Sequence, residues 1–232
     1  MEIFKFWDKA GTILGLTPFH PQYFILKAIK ESEKISLSKL KGKKVIDIGC
    51  GKQKLRRTVE KMGLIYISLD HPIIYKGQRS TLKPDILADI NSIPLPKNSV
   101  DSALLFMVLD DLANPEKGLN EVKRILKKNG RVHISATENY PAHDLPNDYF
   151  RFRLSGIISL CQRAGFKIIE SQSWGNIWQV EAVNLNVFLF QTAKAIWNKT
   201  KFLPLLILTL VFFYPLTVIV NLLAICLTTI RC

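Results

Sequence analysis

The chain has 232 residues, is 48% hydrophobic and carries a formal net charge of +13, enough for one sizeable buried core with material left over. Its four cysteines form no CxxC pair and its four histidines are scattered without ligand spacing, which argues against a disulfide scaffold and against a metal centre. The positive charge comes without a zinc-finger, helix-turn-helix or RNP-like pattern, so nucleic acid is not the favoured partner; the basic clusters read as solvated helix faces or as attraction for anionic lipid.

In chain order, Phe24, Ile25, Ala28 and Ile29 share one face of a helix expected over Pro21–Glu33, and a Ser/Lys-rich link, Ser36–Lys44, follows. Val45–Ile48 reads as the first strand, Lys54–Met62 as a helix closed by Gly63, and Leu64–Leu69 as the second strand. Asp85–Ala88 is a short third strand. Val100–Val108 is a near-continuous apolar run, as a doubly covered parallel strand requires. Pro115–Lys127 is an amphipathic helix, and Asn129-Gly130 predicts a turn into the strand Arg131–Ala136. A helix over Leu154–Ala164 and a strand over Phe166–Gln172 complete the pattern. Strands alternating with helices at these lengths predict an α/β fold: a Rossmann-like, doubly wound, mostly parallel sheet.

In such a sheet, ligands bind beyond the carboxyl ends of the strands. After the first strand comes Gly49-Cys50-Gly51, where glycines permit a tight turn and close backbone approach. Asp47, inside that strand, suits a ligand offering ammonium or hydroxyl donors. Asp70, followed by His71, ends the second strand, placed to accept hydrogen bonds from ribose hydroxyls. Asp89, followed by Ile90, ends the third and suits an adenine amino group. Taken alone, each acid reads equally as a cap or turn residue. A dinucleotide site would carry Gly-x-Gly-x-x-Gly, and Lys54 stands at its sixth position.

The stretches VIDIGCG, YISLD, DILADINSIPLPKNSVDSALLFMVL, LNEVKRILKKNGRVHIS and AGFKIIES, in that order, resemble a class I S-adenosylmethionine-dependent methyltransferase of the type 11 kind. The resemblance covers over half the chain. It implies S-adenosyl-L-methionine as cofactor, with Asp47, Gly49, Cys50 and Gly51 at its methionine end, Asp70 and His71 at the ribose, Asp89 and Ile90 at the adenine, and Met107 near the transferable methyl. Two positions depart from it: Gln53 stands where many relatives have a third glycine, and Asp110-Asp111 where Glu-His is usual. No segment reads as the seventh strand that the resemblance implies.

The loop from Tyr140 to Arg153 lies at the expected acceptor mouth. There His143 would serve as general base, with Asp148 and Arg151 in the acceptor loop. In the alternative reading, His143 and Arg151 only pin the loop and Asp148 caps the next helix. Ile177–Lys201, with Trp178, Trp197 and lysines at 194, 199 and 201, reads as an interfacial anchor or as a helix packed on the sheet. Phe202–Ile230 has no charged residue, and every acidic residue and every basic residue but Arg231 precedes it. It is expected to be a transmembrane span or a re-entrant hairpin split at Pro215.

The expected organisation is an N-terminal helical segment (1–40), a cofactor-binding domain (41–176), an interfacial linker (177–201) and the membrane segment (202–230). The expected function is methyl transfer to a lipid-linked or membrane-located small molecule, with the bilayer as partner and the enzyme on the cytoplasmic side. Two alternatives stand beside it: a non-catalytic, membrane-tethered S-adenosylmethionine-binding module, and an RNA methyltransferase.

Overall fold

A computed structural model describes residues 16–73, 82–142, 146–200 and 203–228. The chain divides into two compact units: Ser32–Gln172, and a helical unit of Met1–Glu31 with Ser173–Cys232.

Helix α1 (Tyr23–Ser38) is followed by β1 (Lys44–Ile48), α2 (Arg56–Lys61), β2 (Ile65–Asp70), β3 (Ile86–Leu87), β4 (Val100–Phe106), α3 (Pro115–Ile125), β5 (Leu126–Ser135) and α4 (Leu154–Arg163). The strands form one parallel sheet in the order β3-β2-β1-β4-β5. The order reverses beside β1, so the chain after β1 and the chain after β4 leave the sheet next to each other, which is where a crevice opens in doubly wound folds.

Alternation along the strands separates two cores. Ile46, Ile48, Ala103 and Leu105 pack with Leu119, Val122 and Ile125 of α3 and Leu160 and Cys161 of α4. On the opposite face, Val45, Tyr66 and Leu104 pack with Leu55 and Val59, and with Leu37 of α1. Asn114 caps α3 by accepting from Lys117 N, and Pro115 at the first turn gives up a hydrogen bond that helix would not have made.

Two expectations are corrected in this unit. Asn129-Gly130 does not precede β5 but lies within it: Leu126 pairs with Val100 while Arg131 pairs with Ser102, and the intervening residues bulge, with Asn129 at φ +64°. Phe166–Gln172 forms no strand among the described residues. Phe166 and Ile168 pack on the core, Glu170 pairs with Lys39, and Ile169 is 72% exposed. Its apolar residues find burial without a ladder partner.

In the helical unit, α5 (Ile177–Thr200) and α6 (Leu203–Leu227) pack on each other. Helix α6 runs through Pro215 unbroken, which corrects the hairpin split at that residue. The expected span over 202–230 is not supported either: among the described residues, no helix is long and apolar enough to cross a membrane. The inner seam explains why α6 pairs rather than standing alone. Asn186 and Asn221 are fully buried, Asn186 Nδ2 donates to Asn221 Oδ1 at 2.9 Å, and Asn221 Nδ2 donates to the carbonyls of Pro18 (2.8 Å) and His20 (3.0 Å).

Candidate cofactor and acceptor site

The site is built where β1, β2 and β4 end. Gly49 turns the chain at φ +72°, and its amide and that of Cys50 both donate to the Leu69 carbonyl, at 2.9 and 3.1 Å. A Cβ added to Gly49 would stand 2.5 Å from Val108 Cγ2, so both the dihedral and the space require glycine. Gly51 N then donates to Asp70 Oδ2 (3.1 Å) and His71 N to Asp70 Oδ1 (2.8 Å). The carboxylate of β2 thereby orders the turn after β1. Ala88 N donates to the Asp70 carbonyl at 3.1 Å, bringing the end of β3 alongside.

Asp47 is buried beneath this turn and accepts a short hydrogen bond from Tyr66 Oη. Burial pushes its carboxyl up to about 6, against the opposing effect of the tyrosine, and burial also raises Asp70. The Cys50 thiol is driven up to about 12 by burial, with Asp70 and Asp47 adding to the effect, so it stays protonated and unreactive. Two desolvated carboxylates under a glycine turn favour a ligand that brings positive charge and hydroxyl donors.

Asp89 is exposed and uses Oδ1 to accept from Asn91 N (2.8 Å) and Asn91 Nδ2 (2.9 Å), an Asx turn. Ile90 turns into the core against Gly118. Met107 ends β4 in the left-handed region at φ +56°, with its amide bonded to the Ser135 carbonyl at 2.9 Å. Asp47, Gly49, Cys50, Gly51, Asp70 and His71 therefore gather around the ends of β1 and β2, and Val108, the neighbour of Met107, closes on Gly49. Asp89 and Ile90 follow β3.

Gln53 is buried and also left-handed, at φ +52°. Its Nε2 donates to the Leu82 carbonyl (3.2 Å) and its Oε1 accepts from Arg56 Nε (2.8 Å). The backbone thus keeps a conformation that favours glycine, and the side chain secures it.

His143 lies outside the described residues. Asp148 and Arg151 form a bidentate pair, at 2.5 and 2.9 Å, and Arg151 also donates to the carbonyls of Tyr140 (2.7 Å) and Pro141 (3.0 Å). In this arrangement the pair fastens the loop to itself. Asp148 does not cap α4, whose N-cap is Arg153. Phe150 and Phe152, stacked at 5.4 Å, line a cavity of about 410 Å³ together with Ala113, Pro115 and Leu160.

Sequence reasoning passed over Tyr66, which alternates with Ser68 on β2, and Ser68 lies opposite Asp47 in the register. Asp110, marked in the sequence only as a departure from the resemblance, is buried, and its Oδ2 accepts from both Thr137 N and Thr137 Oγ1 at 3.0 Å.

Residues 46–134 match the family model described as a methyltransferase domain. Among curated proteins, the chain is 30% identical over 125 residues to an uncharacterized 37.1 kDa protein of Streptomyces fradiae, covering 47% of this chain and 36% of that protein. It is 23% identical over 134 residues to the demethylmenaquinone methyltransferase of Corynebacterium kroppenstedtii, covering 57% of this chain and 58% of that protein. The chain spans between 36% and 58% of the length of the curated relatives it matches. Among solved structures it is similar in fold to the Haloferax volcanii complex of the Trm112 methyltransferase activator with a methyltransferase, with TM-score 0.52 and 22% identity over 63% of this chain and 72% of that one.

Proposed function

We propose that this chain, whose residues 46–134 match the methyltransferase-domain model, is a class I S-adenosylmethionine-dependent methyltransferase of the type 11 kind that transfers a methyl group to a lipid-linked or membrane-located small molecule. The observation that carries the transfer is the pair of buried carboxylates, Asp47 and Asp70, ordered by the Gly49–Gly51 turn. When bound, S-adenosylmethionine supplies a methyl group made electrophilic by its sulfonium. Asp47 would hold the ammonium of its amino-acid end, Asp70 the ribose hydroxyls, and Ile90 with Asp89 would border the adenine. Met107 and Val108 would bound the space before the methyl. Catalysis in this reading is alignment rather than proton transfer, which supplies much of the acceleration in such displacements.

The membrane location is supported by the polarity of the helical unit. Its buried residues include Asn186, Thr217 and Asn221 with Ala182, Ala224, Val183, Val187 and Leu189, while Phe188, Val211, Phe212, Ile219 and Leu223 are exposed. Water-facing helices have the opposite order. Small and amide side chains inside with large apolar ones outside suit a pair bedded in lipid. Lysines at 194, 199 and 201 favour the cytoplasmic leaflet. A small-molecule acceptor also agrees with one relative being a demethylmenaquinone methyltransferase.

The test is titration calorimetry with S-adenosylmethionine, followed by incubation of membrane fractions with cofactor labelled at the methyl. Micromolar binding and label in the lipid extract are expected. Binding without transfer to any fraction would make the protein a cofactor-binding module, label in RNA alone would move it to nucleic acid, and no binding by folded protein would end the reading.

A further inference from the structure

Asp110 ties together two places in the chain that are twelve and more residues apart. Its Oδ2 accepts from the amide and the hydroxyl of Thr137, both at 3.0 Å. Its own carbonyl accepts from the amides of Tyr149 and Phe150, again both at 3.0 Å. Thr137 returns the link, since its carbonyl accepts from Phe152 N at 3.0 Å. The segment that leaves β5 and the segment that enters α4 thus meet at one residue, 3% exposed and three residues beyond Met107: its carboxylate holds Thr137 and its backbone carbonyl holds Tyr149 and Phe150. A buried carboxylate with two donors on one oxygen makes strong, directional hydrogen bonds.

What these bonds hold in place is an aromatic wall. Tyr149, Phe150 and Phe152 follow one another with ring centroids 6.5 and 5.4 Å apart, and Phe150 and Phe152 line the cavity described above. Downstream, the Asp148–Arg151 pair fixes the same stretch to the carbonyls of Tyr140 and Pro141. An apolar wall at the carboxyl ends of β4 and β5 suits an acceptor with an apolar or aromatic body.

We propose that Asp110 is a positioning residue for the acceptor side: by fastening Thr137 to Tyr149 and Phe150 it sets the aromatic wall against which the acceptor is oriented, and it leaves the cofactor side untouched. This rests on the methyl-transfer reading. It also gives Asp110, which stands where the resemblance has glutamate, a role as a loop anchor.

The experiment compares wild type, Asp110→Ala and Asp110→Asn by amide hydrogen exchange over 137–142 and 146–152, by S-adenosylmethionine calorimetry, and by methyl incorporation into membrane lipid extract. Asp110→Ala is expected to raise exchange over 137–142 by about ten- to a hundredfold, the effect of losing hydrogen bonds to a buried carboxylate, and over 146–152 by less, because the backbone carbonyl that holds Tyr149 and Phe150 survives the change. Methyl incorporation should fall by a similar factor, and cofactor affinity should stay within about threefold. Asp110→Asn keeps an acceptor oxygen and should recover most of both. Unchanged exchange in Asp110→Ala, or loss of cofactor binding with retained helical content, would overturn the proposal. Should Asp110→Ala not fold, Thr137→Val removes the hydroxyl donor alone; unchanged exchange and unchanged incorporation there would equally overturn it. A wild type that binds no cofactor would end the methyl-transfer reading, while the exchange data would still decide whether Asp110 anchors the loop.

Discussion

Asp47 shows how one buried group couples the fold to its ligand. Burial raises its carboxyl to about 6, above the ordinary value near 3.9 of an unfolded aspartate. The folded chain therefore holds that proton more tightly than the unfolded chain. The stability this gives is complete below about pH 4 and is lost as pH rises towards 6. The ligand side runs the other way, because only the ionised carboxylate holds a cation well. We expect S-adenosylmethionine affinity to weaken as pH falls below about 6, by at most about tenfold per pH unit for a single titrating group. In Asp47→Asn the affinity should be weak throughout and the slope shallower, with Asp70, also raised by burial, supplying what remains. Calorimetry between pH 5 and 8 measures this; an affinity independent of pH in the wild type would show that Asp47 does not face the cofactor. Tyr66 is part of the same argument, since its hydroxyl supports the ionised form that burial opposes.

At the scale of elements, whatever depended on local pattern was legible in the sequence. Val45–Ile48 and Val100–Phe106 are strands because central parallel strands are apolar on both faces, and α3 was marked by Asn114, Pro115 and its apolar stripe. That Asp47 and Asp70 gather beside the glycine turn was legible because strand ends fix where side chains can meet. What depended on a distant partner was not. Phe166–Gln172 has the composition of a strand, but a strand exists only against an edge, and composition does not say whether that edge pairs. Asn129-Gly130 has the composition of a turn, yet the register absorbs it as a bulge. The Asn186–Asn221 contact joins helices 35 residues apart in sequence and left no periodic mark of its own. Its consequence is measurable. Asn221→Leu removes one of the two acceptors of Asn186 Nδ2, which keeps the Pro21 carbonyl, and the donor to the Pro18 and His20 carbonyls, and sets an apolar side chain against a buried amide. A cost of about 2–3 kcal/mol to the helical unit is expected. Replacing both asparagines by leucine should cost less than the two single changes added together, because paired polar groups removed together leave fewer orphans. Thermal denaturation of the three variants checks this, and additive losses would mean the two amides act separately.

At the scale of the whole molecule, the two units have opposite surface logic: Ser32–Gln172 keeps its apolar residues between sheet and helices, while the α5–α6 unit keeps amides inside and Phe, Leu and Ile outside. If lipid is the medium that stabilises the second arrangement, binding has two separable parts. The net charge of +13 draws the chain to anionic headgroups and weakens as salt screens it. The outer stripe of α6 adds an apolar part that salt does not screen. Phe212 is 66% exposed, so Phe212→Asp disturbs little packing within the protein; it removes the apolar contact and adds one negative charge, and its effect at high salt, where charge is screened, reports the apolar part. We expect wild type to float with vesicles of phosphatidylcholine and phosphatidylglycerol, and to retain part of that binding at high salt. Phe212→Asp should lower the partition at least about tenfold at every salt concentration, since burying a phenylalanine is worth about 1.5–3 kcal/mol. Its melting temperature in vesicle-free buffer should match the wild type. Flotation abolished by salt alone and indifferent to Phe212→Asp would mean that charge carries the whole attraction; the exposed stripe of α6 would then face a protein partner rather than lipid.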